Sequence, residues 1–124
     1  MSDDTSKGLE PLQRPLTPQE RDLVRWLLEH GHSDTSHLLP QIDRLSVFER
    51  CSCGCPTVYF AFDGVPVARK GEQLISDWLA AVDGDGVGVM LFQSGNKISS
   101  LEVYSLAGTV EPFGLPAIES IRGY

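Results

Sequence analysis

The chain has 124 residues, of which 41% are hydrophobic and 22% charged, and a formal net charge of −7. That length holds one core rather than two, and the composition is that of an ordinary globular domain that needs no metal or disulfide to fold. The acidic balance excludes the concentrated Lys and Arg that nucleic acid or an anionic lipid surface requires; it suits solubility, or a basic partner protein.

Residues 1 to 15 carry charges of both signs, two prolines and few apolar anchors, and are expected to form a flexible arm ahead of a single domain over 16–124. The arm has no apolar stretch of the kind an export signal needs. The longest strongly apolar run, Val87 to Phe92, is broken by Gly88 and is too short for a bilayer. An odd cysteine count without an export signal predicts reduced thiols in a soluble cytoplasmic protein.

The first element is a helix over about 18–30. Thr17, Pro18 and Glu20 form the sequence of a capping box with proline in the first turn, and Leu23, Val24, Leu27 and Leu28 make one apolar stripe. Gly31 is expected to end it in the left-handed conformation. A short second helix is predicted within 32–44, capped by Ser33 or Asp34, with Leu38, Leu39 and Ile42 inward and Pro40 limiting its length.

From Leu45 the pattern turns to strands. Val47 and Phe48 lead into the segment CSCGCP at 51–56, after which TVYFAF at 57–62 is rich in aromatic and β-branched residues. Asp63-Gly64 is a tight-turn pair, and a brief edge strand over 65–68 contains Pro66. LISDWLAAV at 74–82 is helical by propensity but a strand by its flanks, and the Asp83-Gly84-Asp85-Gly86 reversal favours the strand. Val87 to Phe92 and Ile98 to Ser105 form a hairpin around Ser94-Gly95-Asn96. The expected fold is therefore α+β: an N-terminal helix, plus a short second one, packed on an antiparallel meander of about five strands. The tail from Leu106 is expected to lie over the sheet through Phe113, Leu115, Ile118 and Ile121.

All three cysteines, Cys51, Cys53 and Cys55, fall in that one segment. On a straight strand alternate side chains are ~6.5–7 Å apart, too far for adjacent ligands on an ion with ~2.3 Å Zn–S bonds. Gly54 and Pro56 allow a bend that can gather the sulfurs around zinc, with a fourth donor drawn from His30, His32 or His37. The spacing lacks the CxxC pair of common zinc sites and of thioredoxin-like redox sites, and three cysteines can also simply pack as small hydrophobes. The histidines have their own explanation, since two of them flank Gly31 where a cation suits the helix C-terminus.

Other candidate chemistry is thinner. The run DGDGVG at 83–88 lacks calcium-loop ligands at its fifth and twelfth positions, and its glycines precede a strand rather than a helix. No GxSxG nucleophile pattern exists. Glu102 and Tyr104 share one face of the last strand; Glu102, if buried, would need Arg50, Arg69 or Lys70, and no second carboxylate is placed beside it. Trp78 is either a core residue or an aromatic anchor for a partner, and with Glu102 and Tyr104 it makes the candidate partner surface.

RCSCGCPTV at 50–58, LEVYSLAG at 101–108 and GLPAIES at 114–120 together resemble a family of small stand-alone bacterial proteins, a domain of unknown function, that pairs a CxCGCP segment with an LE-hydrophobic-Y-S strand. The LEVYS ending is also similar to immunity proteins of bacterial toxin systems. Three readings follow: a protein-binding domain without catalytic activity, a metal-binding protein using the three cysteines, and an enzyme with a site near the cysteines and Glu102. No cofactor other than zinc is expected, and no nucleic-acid or membrane partner.

Overall fold

The computed structural model describes residues 9–108 and 111–123. Helix α1 (Pro18–Glu29) begins where its capping box puts it. The Glu20 amide donates to the Thr17 hydroxyl at 3.0 Å, and the Thr17 amide donates to the Glu20 carboxylate at 2.9 Å. Leu23, Val24, Leu27 and Leu28 are all buried, each contributing on the order of 2 kcal/mol of apolar burial. The helix ends at Glu29 with His30 as its cap, and Gly31 does not take the left-handed conformation expected of it. It is needed for space instead: a Cβ there would meet the Thr35 hydroxyl at 2.7 Å and the Ile75 carbonyl at 2.8 Å.

The second helical segment is a 3-10 helix over Ser36–Arg44, capped by Thr35 rather than Ser33 or Asp34, with Leu38 and Ile42 buried. Pro40 sits inside it, and the tighter helix is one way the chain continues helical turns around a residue without an amide hydrogen.

The strands are β1 (Leu9–Pro15), β2 (Leu45–Cys51), β3 (Val58–Phe62), β4 (Val65–Pro66), β5 (Gln73–Val82), β6 (Asp85–Ser94) and β7 (Lys97–Ser105). They form one antiparallel sheet in the order β1-β2-β3-β7-β6-β5, with β4 alongside β3. The α+β class and the strand at 74–82 agree with expectation, but the sheet has seven strands rather than about five. One difference is β4, two residues long. The other is β1: Leu9–Pro15 is no part of a flexible arm but pairs with β2, from Leu9 opposite Cys51 to Pro15 opposite Ser46. Its prolines, read as signs of an arm, are compatible with a sheet edge, where one side of the strand has no amides to pair. The opposite edge, β5, is covered by the tail, whose Arg122 exchanges backbone hydrogen bonds with Leu79 at 2.8 and 3.1 Å. Phe113, Leu115, Ile118 and Ile121 pack against the core as the sequence suggested.

One face of the sheet buries Val47, Phe60, Leu91, Leu101 and Val103 against α1 and the 3-10 helix. Among the described residues, no helix is long and apolar enough to cross a membrane.

The two halves of the sheet meet at β3 and β7, and they meet narrowly. Only Val58 opposite Leu101 and Tyr59 opposite Ser100 are in register, because the rest of β3 turns to β4. Thr57 extends the seam by one step. Its buried hydroxyl donates to the Val103 carbonyl at 3.1 Å and accepts from the Val103 amide at 2.9 Å, doing with a side chain what the backbone does elsewhere. Thr57→Val keeps the shape but leaves both Val103 groups unpaired. It is expected to destabilise the protein by about 2–4 kcal/mol, read as a lower urea midpoint at unchanged slope; a change below about 0.5 kcal/mol would show that the seam does not need the hydroxyl.

Candidate metal centre

The cysteine segment is the loop from β2 to β3. Cys51 is the last residue of β2, and its amide donates to the Thr57 carbonyl at 3.2 Å, closing the loop at its base. Inside it the chain bends at Gly54, whose φ of 98° lies in the left-handed region where a side chain is strained. The bend does what a straight strand cannot. The Cys51 and Cys53 sulfurs are 2.7 Å apart, the Cys53 and Cys55 sulfurs 2.9 Å, and all three lie within 4.8 Å of one another. The Cys53 and Cys55 amides donate to the Cys51 and Cys53 sulfurs at 3.4 and 3.3 Å, an arrangement that favours negative charge on sulfur.

A segment distant in sequence braces the loop. The Phe113 amide donates to the Gly54 carbonyl at 3.1 Å, and a Cβ on Gly54 would sit 3.0 Å from the Pro112 Cα. Gly54 therefore serves twice, for the bend and for the close approach of Pro112.

The three thiols differ electrostatically. Burial, helped by its contact with the Cys53 thiol, pushes Cys51 up to about 12. Burial pushes Cys53 in the same direction, but hydrogen bonds from its two cysteine neighbours and from backbone amides together outweigh it, so Cys53 falls below the ordinary thiol range. A lowered pKa means more thiolate at neutral pH, and Cys53 is also the exposed member. Limiting iodoacetamide at pH 7 is expected to alkylate Cys53 first and Cys51 last, as read by peptide mapping; equal labelling, or Cys51 leading, would contradict this picture.

Beside the loop lies a cavity of about 390 Å³, lined by Cys51, Cys55, Leu12, Arg14, Arg50 and Phe113 among others. Its two carboxylates are already engaged. Glu20 accepts from Arg14 through both oxygens at 2.7 and 2.9 Å, and Glu10 pairs with Arg50. The imidazoles expected to supply a fourth ligand are elsewhere. Glu20 in the first turn of α1 lines the cavity, whereas His30 caps the other end, roughly 15 Å away at 1.5 Å per residue. There His30 stacks on Trp26 with ring centres 3.9 Å apart. His32 bonds through its amide to Ile75 of β5, the far edge of the sheet from the cysteines, and His37 is exposed. Among the described residues, Cys51, Cys53 and Cys55 alone form a group of metal-ligating side chains.

The candidate partner surface does not hold together as one surface. By register, Glu102 (opposite Met90) and Tyr104 (opposite Gly88) lie on the sheet face away from α1, whereas Trp78 (opposite Val89) lies on the core face. Trp78 packs against the core, edge-on to Trp26 at 5.1 Å, with its indole N–H 3.2 Å from both the His30 carbonyl and the Ser76 hydroxyl. Tyr104 is 41% exposed and its ring lies over Gly88, where a Cβ would come within 2.3 Å. The second carboxylate that the sequence did not place beside Glu102 is Glu72. The Ser100 hydroxyl lies 3.1 Å from the Glu72 carboxylate and 3.3 Å from that of Glu102, and Ser99 donates to Glu72 at 2.6 Å.

Burial first, and Glu72 second, raise the Glu102 pKa against the opposing pull of Ser100 and Arg69. A carboxyl raised in the folded state binds its proton more tightly there than in the unfolded chain, so stability declines as pH rises through its folded value. Glu102→Gln is therefore expected to raise the urea midpoint at pH 7 and to leave it unchanged near pH 4, where the acid is already neutral. A loss at pH 7 would mean that the carboxylate is held by an attraction instead.

Comparison with family models, with curated proteins and with solved structures returns no match.

Proposed function

We propose that the protein binds a thiophilic metal ion through Cys51, Cys53 and Cys55, with zinc as the ordinary occupant. The observation that carries this reading is the convergence of three sulfurs, from a pentapeptide, to within 4.8 Å. Three thiolates so close repel one another strongly in a partly desolvated site, and the charge is tolerated only if protons or a cation neutralise it. Soft thiolate donors select zinc, copper(I) and similar ions over magnesium or calcium. The bracing of Gly54 by Pro112 and Phe113 supports the same reading, since a loop held in its bent form loses less entropy when it takes up an ion.

The acidic surface still suits a basic protein partner, including a toxin of the kind immunity proteins neutralise, but that reading rests on composition and resemblance, without comparable geometry. An enzyme reading rests on the cavity beside Cys51 and Cys55 and finds no acid–base partner there, because Glu10 and Glu20 are both tied to arginines.

The full chain, purified under reducing conditions and exposed to equimolar zinc chloride, is expected to retain about one ion per chain. The Cys51→Ser/Cys53→Ser/Cys55→Ser variant is expected to retain less than about a tenth of that while still folding, since the cysteines lie outside the core. Three thiols that titrate freely after exposure to zinc, copper(I) and arsenite alike would overturn the reading.

A further inference from the structure

We infer that the ion this trio suits best is a trivalent centre of the arsenite and antimonite class, bound as a three-coordinate thiolate pyramid rather than in a tetrahedral divalent site. The inference rests on the reading that the three cysteines act together as ligands, and deepens it by naming the class of ion.

The number of donors comes first. Structural zinc sites are four-coordinate, and here the group has three members with no histidine among them, while the nearby carboxylates are held by arginines. A trivalent pnictogen with a lone pair is complete with three thiolates. The spacing points the same way. Tetrahedral bonds of ~2.3 Å set sulfurs about 3.8 Å apart, whereas bonds of that length at right angles set them about 3.3 Å apart. The two adjacent pairs, at 2.7 and 2.9 Å, open least to reach the pyramid, and the Cys51 and Cys55 sulfurs lie within 4.8 Å of each other.

Charge is the third consideration. Three thiolates on a divalent ion leave a complex of charge −1, on a chain whose formal net charge is already −7. On a trivalent ion they leave a neutral complex, which adds no charge beside the two Glu–Arg pairs that line the cavity.

Proton balance is the fourth. Arsenite condenses with thiols: As(OH)3 and three R–SH give As(SR)3 and three waters. Three As–O bonds break, three As–S bonds form, each thiol proton leaves with a hydroxide, and no oxidation state changes. The condensation takes up neutral thiols directly, whereas a divalent metal must displace their protons.

The test is a competition on the reduced full chain, followed by native mass spectrometry and thiol counting. Sodium arsenite is expected to bind one per chain, to remove all three thiols together, and to displace equimolar zinc. Between pH 7.5 and 6 its affinity is expected to change by less than about threefold while that of zinc falls by at least about tenfold. Each of Cys51→Ser, Cys53→Ser and Cys55→Ser is expected to weaken arsenite by at least about tenfold. Zinc that binds through the thiols and is not displaced would overturn this inference and leave the metal-binding reading standing. Neither ion binding would overturn this inference, and thiols that stay free with copper(I) as well would overturn both. A single variant that binds arsenite as well as the parent would show a two-thiol site and overturn the pyramid.

Discussion

The structure depends on a narrow seam. The halves β1-β2-β3 and β5-β6-β7 are joined through two register pairs of β3 with β7 and the hydroxyl of Thr57. A sheet interrupted at its middle would ordinarily hinge there, and two things prevent it. The buried side chains of α1 and the 3-10 helix span both halves from one side, since β2, β3, β6 and β7 all contribute to the same core. Thr57 fixes the near end of the seam with two hydrogen bonds that have no water to compete with them. The cysteine loop hangs from that end, because Thr57 is also the residue whose carbonyl receives the Cys51 amide. One side chain thus ties the position of the thiols to the joining of the sheet.

What was legible in the sequence follows from how local each signal is. The capping box of α1, the apolar stripe behind it and the turn pairs are decided within a few residues. Asp63-Gly64, Asp83-Gly84 and Gly95-Asn96 all take the positive φ that two-residue hairpin loops demand. The β1 strand was not legible because prolines at 11 and 15 mean one thing in a free arm and another on a sheet edge, and only the partner strand distinguishes them. Gly31 was legible as important and misread in its reason: what matters is the approach of Thr35 and Ile75, and Ile75 is distant in sequence.

The site divides along the same line. That Gly54 bends the loop enough to bring the sulfurs together is a local fact, and the sequence raised it as a condition. Which groups surround the sulfurs is not local. Arg14, Arg50, Pro112 and Phe113 reach the cavity from β1, β2 and the tail, and nothing in their own neighbourhoods marks them. The pairing of Glu72 with Glu102 across Ser100 is equally hidden, being produced by the crossing from β4 to β5 and the register of β7.

That surrounding shell decides what the trio can do. Had Glu10 or Glu20 been unpaired, a carboxylate could have joined three thiolates and the donor set would have suited a divalent ion in four-coordination. Each is instead held by an arginine, Glu20 through both oxygens while it also caps α1. To release Glu20 to a metal would cost the helix its capping box and leave Arg14 uncompensated at the cavity wall, on the order of 1–3 kcal/mol for the charged hydrogen bonds alone. The same residues that start the helix therefore withhold a fourth donor from the cysteines. The coordination number of the site is set as much by the beginning of α1 as by the spacing of the thiols.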